Sequence, residues 1–436
     1  MKKKILRSFF CAVIAVCSIY STGCANKAGE TVGNVEIWHT YNTVKVMRDK
    51  HDYEKLTGPI TVELAKNETE GAQLVITADR DIKYFDVEVG NLNCGDSVIP
   101  SSDIKVYVQK YINILVKSNN SNNADYPVGY TPDCLLPINI VKAYGENTIK
   151  KGCNQGITIE ITSDKNTPAG EYVGDVKMTV DDEKYVVPIK ATVWDIELES
   201  NSQSVFMAYP KDYLFGEMDS TFEMQEKYFE AMLDYKLCIG YIPGTEYSPE
   251  KMVESLDKYW DHPNFTTYSL PSMQGYSRDT VNIRYYKQYL KYLAKASSPS
   301  RNYLEKAVNY VLPCDEPWAR NSMEMVKTTV TALQKADGEV AEELKKENFY
   351  DQFGENAASF KIELENSLNN IQHIITDQYR GVYEDSDLTF CPTFDKYESE
   401  TMVENLKQHS VDHNNDLWWY GCVNPKNPYP THHIDD

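Results

Sequence analysis

Val308-Asn309-Tyr310-Val311-Leu312-Pro313-Cys314-Asp315-Glu316-Pro317-Trp318 is a mostly apolar run that ends in two adjacent carboxylates and a proline. It reads as a strand stopping at the acidic pair. On either side of it, similar short apolar runs alternate with longer stretches of helical period. Strands are expected at 204–209, 236–242, 265–270, 308–314, 371–376, 388–391 and 417–422, with 265–270 the weakest in pattern. Helices are expected at 222–235, 249–259, 281–295, 322–335 and 399–409. Such alternation argues for a parallel sheet, and one of this length usually closes as a (β/α)8 TIM-type barrel. The eighth strand is not readable. The chain stops at His432-His433-Ile434-Asp435-Asp436, where Asp435 opens what looks like another helix. The barrel is therefore expected to be truncated at its C-terminal end, as a fragment or at a gene boundary, leaving two unpaired edges. The charged stretch 336–356 has no strand pattern and reads as a surface insertion between the fourth and fifth strands.

Upstream of this region the period is different. Residues 60–64 alternate, 73–77 are apolar, and 104–108, 157–161, 176–180 and 185–193 follow as further short strands, separated by turn signals at 93–96, 164–170 and 181–183. Strands at this spacing read as an all-β sandwich. Thr167-Pro168-Ala169-Gly170-Glu171-Tyr172 is a turn entering a strand, and its chemistry is structural. The expected organisation is a leader over 1–23, a linker over 24–34, a β-sandwich over 35–200 and the barrel over 201–436.

The leader begins Met1-Lys2-Lys3-Lys4, with Arg7 close behind, and continues into the largely apolar run 9–20. A basic start before a short apolar core is the pattern of an export signal, too short to span a membrane as a helix. It ends in Ser21-Thr22-Gly23-Cys24, which resembles the cleavage box of bacterial lipoproteins, whose cysteine is acylated; Ser21 stands where leucine is usual. The protein is thus expected to be exported to the cell surface and lipid-anchored through Cys24, with plain signal cleavage as the alternative. No other stretch reaches about 18 consecutive apolar residues, so the anchor is the one membrane contact expected.

The 436 residues carry a net charge of -21, and loss of the basic leader makes the chain more acidic still. Such a chain repels phosphate backbones, so no nucleic-acid partner is expected. Aromatic content is 12%, with 32 Tyr against 13 Phe, so many rings bring a hydroxyl that suits a wet surface such as a sugar site. An acidic, solvated surface accounts for part of that excess. Of ten cysteines, Cys11 and Cys17 fall in the leader and Cys24 at its end. Cys94, Cys134, Cys153, Cys238, Cys314, Cys391 and Cys422 remain, scattered and without CxxC spacing. They form neither a disulfide scaffold nor a zinc site, although a bridge such as Cys134 with Cys153 stays open. His432 and His433 with Asp435 and Asp436 read as a polar chain end, and no metal or cofactor is expected. No Gly-rich phosphate loop, Gly-x-Ser-x-Gly elbow or His-Glu-x-x-His helix occurs.

The chemistry rests on Asp315 and Glu316. Barrel enzymes place catalytic residues at the C-terminal ends of strands, where this pair falls. Helix capping is the competing explanation, with Pro317 in a first turn. Ordinary glycosidases hold two carboxyl groups on opposite faces of the sugar, about 5 Å or more apart. Sequence neighbours, with Cα atoms about 3.8 Å apart, approach a ligand from one side. They suit substrate-assisted hydrolysis, in which the 2-acetamido oxygen attacks its own anomeric carbon. Asp315 would orient the acetamido N–H, and Glu316 would be the acid for the leaving group, its pKa raised by the neighbours Pro317 and Trp318.

Three pieces of sequence carry a resemblance: Lys66-Asn67-Glu68-Thr69-Glu70-Gly71-Ala72-Gln73-Leu74-Val75-Ile76, the strand ending Asp315-Glu316-Pro317, and Trp418-Trp419-Tyr420-Gly421-Cys422 before a proline-rich turn. In that order they resemble glycoside hydrolase family 123, whose catalytic domain is also described as domain of unknown function 4091. The resemblance implies a substrate-assisted retaining mechanism and release of terminal β-linked N-acetylgalactosamine from a glycan or glycoconjugate. It implies the roles above for Asp315 and Glu316, contact of Tyr420 with the acetamido carbonyl, and Trp418 or Trp419 lining the sugar pocket. Strand alternation puts Trp418 and Tyr420 on one face and Trp419 on the other; core packing is the alternative for all three. Tyr209, Gln378 and Asp395 follow the first, fifth and sixth strands and reach the same mouth if they are not caps or surface groups. Trp318, Trp418, Tyr420, Tyr209 and Asp395 are the candidate substrate contacts. A lipoprotein that binds glycans without cleaving them is the alternative function, favoured by the incomplete barrel.

Overall fold

Period-two alternation shapes the first half of the chain. In the strands Gly170–Val180 and Glu183–Glu197, Tyr172, Val176, Met178 and Val180, then Tyr185, Val187, Ile189, Ala191 and Val193, are buried, and the residues between them face outward. The computed structural model describes residues 26–27, 35–116, 128–199, 204–206, 221–272, 282–310, 317–318, 322–384 and 386–420, with the backbone alone at 26–27, 204–206, 239, 394 and 395. The chain divides into two units between Leu198 and Glu199.

The first unit is β-rich. One sheet runs Asn26–Lys27, Glu183–Glu197, Gly170–Val180, Leu92–Cys94, Ser97–Ile99, with Ile60–Lys66 also on Glu183–Glu197 and Phe85–Val89 also on Gly170–Val180. The other runs Val35–Thr40, Thr69–Ala78, Cys153–Thr162, Ile104–Ile114, Gly129–Pro137 and is antiparallel throughout. Ile37, Leu74, Ile76, Ile157 and Ile159 of the second sheet share one core with Val62, Val87, Tyr172, Val176 and Ile189 of the first. Each such side chain contributes about 1.5–3 kcal/mol by leaving water.

Both motifs singled out in this unit hold chain against chain. The Tyr172 hydroxyl donates to Pro168 O at 2.7 Å, closing the turn that enters its strand. In the second motif Asn67 takes the left-handed turn at φ 60°, a conformation asparagine tolerates. Glu68 Oε2 accepts from Ala65 N at 2.6 Å. Gly71 leaves the space into which Asn42 packs, since a Cβ there would lie 2.6 Å from Asn42 Nδ2. Gln73 is buried, and its Nε2 donates to Tyr41 O at 2.9 Å and Val44 O at 2.8 Å, so an amide staples the following segment onto the sheet. Gln109 Nε2 in turn donates to Gln73 Oε1 at 2.9 Å and Thr158 Oγ1 at 3.2 Å. Cys134 and Cys153 are both free, and the Cys153 thiol lies 3.5 Å from Asp49 Oδ1, so the bridge left open by the sequence does not form.

The second unit alternates strand and helix, and its strands pair in parallel. Ser204–Phe206 lies beside Leu237–Ile239. Tyr268–Ser269, Ala307–Tyr310, Gln372–Ile375 and Thr389–Phe390 pair successively in chain order. Ser269 N donates to Gly240 O at 2.6 Å, and Tyr420 bridges Thr393 in parallel, which continues the series at both ends. Among the described residues these form a two-stranded and a four-stranded sheet, not a closed barrel. Helices Phe222–Asp234, Pro249–Tyr259, Ile283–Ala296, Met323–Lys346, Ala357–Asn369 and Glu400–His413 pack on them, several starting at a side-chain cap such as Ser248, which accepts from Lys251 N.

Two expectations need correction. The strand expected at 265–270 is the two-residue Tyr268–Ser269. The stretch 336–356 is not a surface insertion: the helix Met323–Lys346 runs into its first half, burying Ala336, Asp337, Val340, Ala341 and Leu344, and the 3-10 segment Phe349–Asn356 follows with Tyr350 buried. The charges that disguised it, Glu339, Glu343 and Glu347, meet Lys287, Lys291 and Lys295 of the neighbouring helix at 2.5–2.7 Å. No described helix is long and apolar enough to cross a membrane.

Gly156 faces the amide cluster of the first unit, where a Cβ would lie 2.0 Å from Gln109 Oε1. Gly156→Ala is expected to destabilise the fold by about 1–3 kcal/mol in denaturant titration, because the buried amide cannot withdraw without breaking its bonds. An unchanged midpoint would mean Gln109 relaxes freely. A second expectation concerns acid. His39 sits 3.2 Å from Gly58 O, and His409 sits 3.0 Å from Leu388 O. Burial pushes both imidazoles below their ordinary value of 6.5, the carbonyl contacts offsetting part of the shift. Each binds its proton more weakly folded than unfolded. Their contribution to stability is therefore complete above about pH 6.5 and lost as pH falls below it. Denaturation midpoints should drop between about pH 7.5 and about pH 5.5, and drop less in a His39→Asn, His409→Asn double variant.

Candidate active site

The strand Ala307–Tyr310 lies between Tyr268–Ser269 and Gln372–Ile375 and is parallel to both. Its two faces do different work. On one, Val308 and Tyr310 cluster with Ile374, Cys391, Trp418 and Tyr420. On the other, polar groups are buried against the helices. Tyr286 of Ile283–Ala296 donates its hydroxyl to Asp337 Oδ1 at 2.7 Å, and His373 Nε2 lies 3.0 Å from Asp337 Oδ2. Asn309 Nδ2 lies 3.1 Å from His373 Nδ1. The two ring nitrogens of His373 thus sit between an amide and a carboxylate, one contact on each side. All four groups are buried. Burial, and then Asp337, pushes the Tyr286 phenol well above its usual range. An acid–imidazole pair invites comparison with a catalytic triad, but this one is enclosed between sheet and helices and ties strand to helix.

The carboxylate pair itself, Asp315 and Glu316, lies outside the described residues, as do Tyr209 and Cys24. What flanks the pair is described. The strand leading to it is described as far as Tyr310. Pro317 is buried, and its carbonyl accepts from Ser322 N at 2.9 Å and Ser322 Oγ at 3.2 Å. The helix that follows begins at Met323 with Ser322 at its N-cap.

Beyond the neighbouring strand Gln372–Ile375 comes Asp377, whose side chain is fully buried. Its carboxyl accepts from Arg380 Nε at 3.0 and 3.2 Å, from Gln378 N at 2.8 Å and from the Tyr383 hydroxyl at 3.2 Å. Burial raises its pKa more than these donors lower it. The Arg380 guanidinium lies 5.7 Å from the centre of the Trp318 ring, within cation–π range. Asp377 and Arg380 were not singled out in the sequence, where attention at this strand end went to Gln378. The available signal was an acid directly after a strand with an arginine three residues on.

The other candidates are dispersed. Tyr420 N donates to Pro392 O at 3.0 Å, placing Tyr420 beside the continuation of Thr389–Phe390. Asp395 follows in the turn Phe394–Glu398, its side chain outside the description. Trp418 packs in the same cluster as Tyr420, whereas Trp419 is exposed, in keeping with alternation. Trp418 also lines a cleft with Thr267, Lys306, Gln372 and Asp416, residues at the N-terminal ends of the strands. The structure thus sets Trp418 towards the end opposite to Asp377, Arg380 and Trp318. Among the described residues no group of three or more His, Cys, Asp or Glu side chains could hold a metal ion.

No family model and no curated protein matches the sequence. A solved structure does. The chain superposes on a family 123 glycoside hydrolase from Clostridium perfringens, studied for glycolipid glycan hydrolysis, with a TM-score of 0.51 and 11% identity over 91% of this chain and 73% of that one. The likeness is one of fold. Part-length likenesses include an uncharacterised β-sandwich protein from Clostridium difficile (TM-score 0.19, 12% identity, 39% of this chain and 97% of that one) and the CooA pilin subunit from enterotoxigenic Escherichia coli (TM-score 0.17, 15% identity, 37% and 99%). These carry no weight for function.

Asp337 is the group on which the strand's buried face depends. Asp337→Ala leaves His373 Nε2 and the Tyr286 hydroxyl without their partner and should cost about 3 kcal/mol or more in denaturant titration. Asp337→Asn, which keeps one acceptor, should cost less. Equal costs would show that the hydrogen bonds do not carry the effect.

Proposed function

We propose that this chain is a glycoside hydrolase that releases a terminal β-linked N-acetylgalactosamine, or a related 2-acetamido sugar, from a glycan by a substrate-assisted retaining mechanism. The place of Asp315 and Glu316 in the sequence carries the proposal: they follow, within a few residues, a strand that has parallel neighbours on both sides. In parallel α/β architectures ligands meet the C-terminal strand ends. The fold likeness to a family 123 glycoside hydrolase supports the same class. We take the run of parallel strands to be part of a (β/α)8 barrel, and the chain to be exported with a lipid on Cys24.

In this mechanism the acetamido carbonyl oxygen attacks the anomeric carbon as the bond to the leaving oxygen breaks, and Glu316 donates the proton that oxygen needs. Asp315 accepts the acetamido N–H and stabilises the charge that develops there. Glu316, now a base, takes a proton from water, which opens the cyclic intermediate with retention. Tyr420 is assigned to the acetamido carbonyl.

Turnover of 4-nitrophenyl β-N-acetylgalactosaminide, set beside the N-acetylglucosaminide and the plain galactoside, tests this. Hydrolysis should require the 2-acetamido group. Glu316→Gln and Asp315→Asn should each lower kcat by about 10²–10⁴-fold on a glycan substrate. Unchanged rates in both variants, or equal cleavage of the plain galactoside, would sink the mechanism. A folded protein that binds the sugar without turnover would make it a glycan-binding protein.

A further inference from the structure

The cleft that Trp418 lines at the N-terminal ends of the parallel strands has a volume of about 450 Å³, within the range of about 300–1,000 Å³ usual for small-ligand sites. Three of its lining residues, Leu304, Ala307 and Val308, are apolar and buried. The polar ones fall into two sets. In the first, the groups are already held. Gln372 Nε2 donates to Asp416 Oδ2 at 2.7 Å, and Asp416 N donates back to Gln372 Oε1 at 3.1 Å. Thr389 Oγ1 donates to the same Oε1 at 3.2 Å. Trp418 packs in the cluster of Val308 and Ile374, and its carbonyl accepts from the Tyr397 hydroxyl at 2.8 Å. The second set comes from the end of the helix Ala357–Asn369: Glu363, Asn366 and Asn370 are exposed, and among the described residues their side chains have no hydrogen bond or ion pair. A fixed carboxylate–amide pair, an anchored tryptophan and two uncommitted amides therefore share one space, and groups held in advance lose little freedom when a ligand binds.

Charge and hydrogen-bonding capacity select the ligand. Three carboxylates, Glu305, Glu363 and Asp416, line the cleft against one ammonium, Lys306, whose Nζ already donates to Trp260 O at 2.8 Å and Phe265 O at 2.7 Å. An anion is repelled. An apolar ligand would strip water from amides and carboxylates and replace none of their hydrogen bonds. A cation would answer the carboxylates but leave the N–H donors of Asn366 and Asn370 idle. A pyranose meets every demand: its hydroxyls donate to carboxylates and exchange hydrogen bonds with amides, and its C–H face matches an indole. We infer that this cleft binds a neutral sugar of a glycan, with Trp418 as the stacking surface and Asn366, Asn370 and Asp416 as the hydrogen-bonding groups. It lies at the strand ends opposite to Asp377 and Arg380, so it holds a glycan rather than acting on it. Nothing in this assignment depends on turnover.

Saturation-transfer NMR titrations of the whole chain with galactose, N-acetylgalactosamine, lactose and N,N′-diacetylchitobiose test the site. The wild type should bind at least one of these probes, and an Asn366→Ala, Asn370→Ala double variant should weaken that binding at least about tenfold. Both asparagines are exposed, so the double variant keeps its fold where Trp418→Ala, which should weaken the same binding, risks unfolding. Hydrolysis of 4-nitrophenyl β-N-acetylgalactosaminide should be the same in the double variant as in the wild type. Sugar binding that the double variant leaves unchanged overturns the cleft, and so does the absence of binding by all four probes; neither result touches the glycosidase. Spermidine bound in place of the sugars, and lost in Glu363→Gln, would overturn it in favour of a cation site. A wild type that binds a probe in the cleft and hydrolyses no glycoside keeps the cleft and removes the glycosidase.

Discussion

A carboxyl group enclosed between a sheet and two helices must be hydrogen-bonded or it unfolds the layer around it, and Asp337 is such a group. Its partners come from separate elements: Tyr286 from one helix, His373 from a strand, and through His373 the amide of Asn309 on the next strand. Sliding either strand by one residue would turn Asn309 or His373 to the opposite face. The network therefore adds directional bonds to the register that the buried apolar cluster of Val308, Ile374 and Cys391 favours on the other face. The anchor at Asp377, just past the end of one of these strands, inherits that register.

Elements whose burial follows one simple period were legible in the sequence. The alternation through Tyr172–Val180 and Tyr185–Val193 is a direct record of one buried face, and the helices at 222, 249 and 399 start within a residue or two of where cap and period put them. Legibility failed where charges answer one another across space. Glu339, Glu343 and Glu347 made 336–356 look solvated, because the lysines that pair with them sit about fifty residues earlier. Ala336, Val340, Ala341 and Leu344 carry the helical period underneath. The helix Ala357–Asn369 was missed for a related reason, as its apolar face is only Phe360, Leu364 and Leu368. Tyr268–Ser269 was weak because two residues hold no period at all.

The candidate site divides along the same line. Trp318 was visible as an aromatic beside two acids, but its support was not. Asp377 is conspicuous only once it is seen to be fully buried, and Arg380 only once it is seen over the indole. Trp418 and Tyr420 were correctly placed on one face by alternation, yet alternation says nothing about height along a strand. Trp418 reaches the cleft at the N-terminal ends, and Tyr420 sits beside Thr393. A strand two residues longer or shorter moves a side chain about 7 Å along the axis, enough to separate a floor residue from one at the mouth.

Two adjacent carboxylates constrain chemistry more than two distant ones. With Cα atoms about 3.8 Å apart they cannot straddle a sugar ring, so a mechanism that needs a nucleophile on the far face is closed to them unless the substrate supplies it. A 2-acetamido group would do so, and the proposed mechanism is therefore compatible with two acids adjacent in sequence. Recognition is then asymmetric. In the proposed mechanism one carboxyl is committed to the substituent on the cleaved sugar and the other to the leaving oxygen.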